Sequence, residues 1–127
     1  MTSPTIKVKK LREGAVIPSR AHPGDAGLDL TWCPLDDHEI KRVDMAGGVQ
    51  APTQILHTGI SVEIPEGTCL IIWDRSGIAA HGLHVHGGLV DPGYRGELKG
   101  ILSGAKEAWN AADLKPGQRI AQIVHLP

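Results

Sequence analysis

Apolar and polar residues alternate in short runs along most of this chain. The runs are Ile6-Lys7-Val8, Gln54-Ile55-Leu56-His57, Ile60-Ser61-Val62-Glu63-Ile64, Cys69-Leu70-Ile71-Ile72-Trp73, Leu83-His84-Val85-His86, Glu97-Leu98-Lys99 and Ile120-Ala121-Gln122-Ile123-Val124. A period of two, rich in Ile and Val, predicts half-buried strands. Pro23-Gly24-Asp25, Pro65-Glu66-Gly67, Asp91-Pro92-Gly93 and Pro116-Gly117 separate them with residues that turns select for backbone reasons. Ser76 to Ala80 opens on an N-cap-type residue and predicts a short helical turn. Lys106 to Leu114 (KEAWNAADL) contains good helix formers but is shorter than the roughly 12 residues an isolated helix needs, so a turn or irregular loop is expected there. No repeat, low-complexity tract or linker interrupts the pattern. Residues 1–127 therefore predict a single all-β domain of sandwich or barrel type.

Composition sharpens this picture. With 16 Gly and 9 Pro, the chain is punctuated for many short strands. Phe is absent, so the core must be aliphatic, and Trp32, Trp73 and Trp109 are expected to be core fillers. Thirteen Lys and Arg against 14 Asp and Glu exclude both a polybasic nucleic-acid grip and a strongly acidic tail. No apolar run approaches the roughly 20 residues of a membrane span, and the first ten residues lack the apolar core of a signal peptide. Cys33 and Cys69 have no metal-ligand spacing and read as reduced thiols of a cytoplasmic protein.

Chemistry concentrates in two segments. In DRSGIAAHG (Asp74 to Gly82) a strand runs into Arg75-Ser76-Gly77 and a helical turn. Arg supplies a fork of donors, Ser a hydroxyl, Gly close backbone approach, and a helix start supplies free N–H groups. That set suits an anion such as phosphate, although Ser is also a common N-cap without function. In GGLVDPGYRGELKG (Gly87 to Gly100), Asp91 ends an apolar strand and Tyr94 follows. Asp91 is either a turn residue or a carboxylate that deprotonates a water, and Tyr94 offers a flat face to a sugar or base. Asp25 and Asp29 in PGDAGLDL could hold water-bound Mg²⁺ or simply form a polar loop. Arg119 and Gln122 in GQRIAQIV reach an anion or face solvent. His84 and His86 share one strand face and could chelate a transition metal, with His81 nearby, but no Cys or carboxylate completes a site locally.

TGISVEIPEG (Thr58 to Gly67), DRSGIAAHG, GLVDPGYRGELK and GQRIAQIV occur in this order, after PGDAGLDL. Together they resemble the trimeric dUTPases, over nearly the whole chain from Ile6 to Val124. The resemblance implies a jelly-roll-like β domain, a homotrimer with active sites shared between subunits, and Mg²⁺-assisted hydrolysis of dUTP to dUMP and pyrophosphate. It implies that Asp91 activates the attacking water and that Tyr94 packs on the sugar. Arg75, Ser76 and Gly77 would bind phosphate. Gly88, Leu89, Val90 and Lys99 would contact the nucleoside, Gln122 would lie near the phosphates, and Asp29 would sit in the outer shell of the metal.

The sequence departs from the family pattern in several places. It stops at Pro127 without a glycine-rich closing arm. The stretch from Ile78 to Val90 is short, which bears on how the hairpin reads uracil. Asp74 replaces a frequent proline and would repel phosphate unless paired with Arg75. Two alternatives follow: a nucleotide-binding regulatory or scaffolding protein of this fold, and a dCTP deaminase-like enzyme. The second would need a glutamate where Ile101 stands, with Glu97 four residues early.

Overall fold

The alternating runs form strands. The computed structural model describes residues 5–48 and 53–127. In chain order the elements are β1 (Lys7–Lys10), β2 (Leu28–Thr31), α1 (Asp37–Met45), β3 (Thr53–Glu63), β4 (Cys69–Trp73), α2 (Ser76–Ala79), β5 (His84–His86), β6 (Leu89–Val90), β7 (Glu97–Ser103), α3 (Lys106–Ala112) and β8 (Arg119–Leu126). Two of the expected runs merge into the single long strand β3. Odd-numbered strands form one antiparallel sheet, ordered β1-β3-β7-β5. Even-numbered strands form the other, ordered β2-β8-β4-β6. The two sheets stack as a sandwich, and among the described residues no strand pairing closes them into a barrel.

The core is aliphatic, as a chain without Phe requires. Leu30, Ile60, Val62, Leu70, Ile72, Leu98 and Ile123 fill one half of the space between the sheets. Leu56, Leu83, Leu102 and Ile120 fill the other, together with Trp32 and Trp109. Trp73 is not a core filler; it is 59% exposed. On β4, Leu70 and Ile72 point inward, so the strand period turns Cys69, Ile71 and Trp73 outward.

Three helices modify the all-β expectation. α2 falls where the sequence predicted a helical turn. α3 replaces the loop expected from Lys106, because tertiary burial of Ala108 and Trp109 supplies what a seven-residue helix lacks alone. α1 was not foreseen, although Asp36 and Glu39 carry its start signal. Asp36 caps the helix by accepting the Glu39 N–H at 2.9 Å. The Glu39 carboxylate turns into the core and accepts from Trp32 Nε1 at 2.7 Å, Leu35 N at 3.2 Å and His57 N at 3.0 Å. Oε1, which accepts from Leu35, also meets His57 Nδ1 at 2.5 Å. One buried carboxylate thus joins α1, the Trp32 segment and β3. Among the described residues no helix is long and apolar enough to cross a membrane.

Removing that carboxylate strands several buried donors at once. Glu39→Ala should cost about 3 kcal/mol of unfolding free energy. Urea denaturation checks this; a loss below about 1 kcal/mol would show that water satisfies those donors instead.

Candidate functional site

β4 positions both halves of the site. It pairs with β8 on one edge, Trp73 opposite Gln122, and with β6 on the other, Ile71 opposite Leu89. Where β4 ends, Asp74 and Arg75 begin. The Arg75 carbonyl accepts from Ile78 N and Ala79 N at 3.1 and 2.9 Å, which starts α2 and exposes Ser76 and Gly77. The first N–H groups of a helix have no intrahelical acceptor.

Arg75 is held from the far strand. Asp29 lies opposite Gln122 in the β2–β8 register. Its Oδ1 accepts from Arg75 Nε at 3.1 Å, and its Oδ2 faces Arg119 Nη1 at 3.4 Å. Oδ2 is buried yet makes no hydrogen bond. Arg119, left open between an anion and solvent by the sequence, therefore joins the same cluster. Gln122 does not point a free amide at this cluster. Its Nε2 donates to the Asp74 carbonyl at 2.7 Å. Asp74 does not pair with Arg75 either; its Oδ1 accepts the Val85 N–H at 2.7 Å.

The second half is a cavity of about 300 Å³. Leu89, Val90, Asp91, Tyr94 and Lys99 line it, with Ile72, Gly87, Glu97, Leu98 and Ile101. Asp91 and Tyr94 are fixed relative to each other by a turn in which Tyr94 N donates to the Asp91 carbonyl at 3.0 Å. The Tyr94 hydroxyl donates to the Glu97 carbonyl at 2.9 Å, and the ring folds over Gly96, where a Cβ would lie 2.5 Å from the hydroxyl oxygen. The Asp91 carboxylate carries no hydrogen bond or ion pair among the described residues. Gly88 joins β5 to β6 so close to β4 that a Cβ there would lie 2.1 Å from the Ile72 carbonyl oxygen. Arg75, Ser76, Gly77, Gly88, Gln122 and Asp29 do not line this cavity. A larger groove of about 580 Å³, bordered by Lys7, Glu63, Pro92 and Arg95, contains none of the residues picked out from the sequence.

Glu97 went unassigned as a site residue. Arg12 grips it with two nitrogens, at 3.0 and 2.8 Å, and Gly59 N donates at 2.8 Å. Gly59 reaches it because β3 bulges between His57 and Ser61, with Gly59 at φ +74°. The distant Arg12 gave no local sequence signal for this pair. The His84 and His86 rings lie 4.6 Å apart between centroids, tilted by 59°, and His86 Nε2 meets the Ser103 hydroxyl. Among the described residues no three His, Cys, Asp or Glu side chains gather as a metal-ligand set.

The family model for dUTPase matches residues 13–127. The chain is 42% identical to the deoxyuridine 5'-triphosphate nucleotidohydrolase of Rhodococcus erythropolis, over 94% of this chain and 68% of that one.

The chain belongs to the dUTPase family.

The corresponding Clostridioides difficile protein is 38% identical, over 96% of this chain and 79% of its own length. Among solved structures, the Staphylococcus bacteriophage 80alpha dUTPase with dUpNHpp superposes with TM-score 0.70 at 23% identity, over 97% of this chain and 82% of that one. A variant dUTPase from phage phi11 of S. aureus, which coordinates a structural Mg(II) ion, gives 0.71 at 23% identity, over 97% and 90%. This dUTPase-family chain thus shares their fold.

Burial pushes the carboxyls of Glu39 and Glu97 up, but their donors outweigh it. His57, Trp32 and Leu35 hold Glu39 below the usual carboxylate range, and Arg12 and Gly59 do the same for Glu97. A depressed folded value adds stability above the unfolded value of about 4.3, and that stability is lost as pH falls through the lower folded values. The denaturation midpoint should therefore be flat above about pH 5.5 and drop below about pH 4.3, with a shallower drop in Glu97→Gln. An acid limb of equal steepness in that variant would remove Glu97 from the effect.

Proposed function

We propose that this chain, as one β domain of the jelly-roll type, hydrolyses dUTP to dUMP and pyrophosphate. The observation that carries the reading is the cavity that gathers Leu89, Val90, Asp91, Tyr94 and Lys99. The relatives at about 40% identity are named for this hydrolysis, and the reading includes the cytoplasmic location expected from the sequence.

In the proposed reaction the deoxynucleoside enters that cavity. Gly88, Leu89 and Val90 offer backbone groups to the base, and hydrogen bonding there rejects cytosine while shape rejects the thymine methyl. Tyr94 packs on the deoxyribose, and Lys99 borders the nucleoside. Asp91 takes a proton from a water as its oxygen attacks the α-phosphorus. The bond from that phosphorus to the bridging oxygen breaks, and pyrophosphate leaves with the bond's electron pair. Arg75, the Ser76 hydroxyl and the Gly77 N–H bind the triphosphate, and Gln122 holds the turn that carries them.

The donor set fits Mg²⁺ only as an ion brought by the triphosphate. The described residues offer no multi-carboxylate cage, but Asp29 keeps a buried oxygen without a hydrogen bond. Asp29 would meet a metal-bound water, and the ion would supply charge neutralisation at the phosphoryl oxygens.

The phosphate-binding turn and the nucleoside cavity do not share a lining within one chain, which favours sites shared between subunits. An outward apolar face also favours the homotrimer. Ile71 lies beside Val124 and Leu89, Cys69 beside Leu126, and Trp73 and Leu89 are 59% and 65% exposed. Deamination is disfavoured: Ile101 lines the cavity, and both Glu97 oxygens are occupied by Arg12 and Gly59. The free Asp91 carboxylate speaks against a pure scaffold.

With Mg²⁺, pyrophosphate should appear from dUTP and not from dCTP or dTTP. Asp91→Asn should lower kcat by about 10² or more while dUpNHpp still binds. Undiminished turnover in that variant would remove Asp91 from the mechanism, and ammonia from dCTP would replace the reading. Light scattering should give three times the 13.5 kDa chain mass, and Val124→Asp should yield inactive monomer. Full activity from a monomer would overturn the shared site.

A further inference from the structure

We infer that Asp74 is a positioning residue that ties the nucleoside-reading hairpin to the phosphate-binding turn and so sets nucleotide affinity. The inference rests on the proposed dUTP hydrolysis and adds a residue to it. β5 and β6 each lie at the edge of a different sheet, so the Gly87-Gly88 link bridges the two sheets. β6 is fixed by β4, including the Ile72 N–H donated to the Gly88 carbonyl at 2.7 Å. β5 is only three residues long and pairs with β7, and among the described residues its outer edge has no strand partner. An open edge leaves N–H groups that need an acceptor. Asp74 Oδ1 is that acceptor for Val85, at 2.7 Å, reaching from eleven residues earlier.

The same residue is held at its other end. Its carbonyl accepts from Gln122 Nε2 at 2.7 Å, and Gln122 packs so close to Gly27 that a Cβ there would lie 2.0 Å from Gln122 Oε1. Asp74 therefore connects β8, the turn bearing Arg75 and the hairpin that supplies Gly87, Leu89 and Val90 to the cavity wall. A carboxylate accepts strongly from a backbone N–H, whereas proline offers no side-chain acceptor. The Val85 bond also directs the charge at the hairpin rather than at the phosphate side.

Three measurements on the full chain test this. Hydrogen exchange should show the Val85 amide protected in the wild-type protein and about tenfold or more faster in Asp74→Ala. Kd for dUpNHpp and KM for dUTP should each rise about tenfold in Asp74→Ala, with kcat changed by less than about threefold. Asp74→Asn keeps an oxygen acceptor and should return both to within about threefold of wild type. An unprotected Val85 amide in the wild type, an unchanged Kd in Asp74→Ala, or an Asn variant no better than Ala would each overturn the role of Asp74. Failure of the wild-type protein to bind dUpNHpp would instead sink the functional reading itself, with Val85 protection left intact.

Discussion

The site depends on how one five-residue strand is paired. β4 borrows an edge of β8 and an edge of β6, so whatever follows Trp73 must emerge beside Gln122, and whatever precedes Asp91 must lie beside Leu70 and Ile71. The pairing is enforced by burial. Leu70 and Ile72 face the core, and a slip of one residue would expose both and drive Ile71 and Trp73 inward. The approach of Gly88 to the Ile72 carbonyl fixes the other side, since only glycine fits that gap. Register, not a loop's own preference, therefore sets where the Arg-Ser-Gly turn and the cavity lined by Asp91 and Tyr94 stand.

Much of this was legible because strands announce themselves by period. The runs around Leu56, Val62, Leu70, Val85, Leu98 and Ile123 all became strands, and the four Pro-Gly-type turns fall between elements. The residues of the Gly87–Gly100 segment converge on one cavity because a turn and a short strand keep them local. The pairing of Arg75 with Asp29 was not legible. The two lie 46 residues apart and meet only because β2 and β4 flank β8. Gln122 likewise looked available to an anion, and its amide instead holds the backbone of Asp74.

The helices show a different limit. α3 has a sequence too short to hold itself, and its existence is decided by Trp109 and Ala108 finding a core. α1 is decided by a buried charge, and no periodicity signals that Glu39 points inward to Trp32 and His57. Trp73 errs in the opposite sense. Scarcity of aromatics argued for burial, yet strand alternation outweighs residue type and turns it outward.

The electrostatics of the proposed phosphate cradle argue for restraint in how tightly it would grip. Asp29 stands between Arg75 and Arg119, so one negative charge offsets two positive ones and leaves a net charge of about +1. That pairing spends part of each guanidinium's capacity, but it also holds Arg75 in place before any anion arrives, which reduces the ordering cost of binding. Against the roughly four negative charges of the proposed triphosphate ligand, a net charge of about +1 would leave most of the neutralisation to backbone N–H groups and to an ion that travels with it.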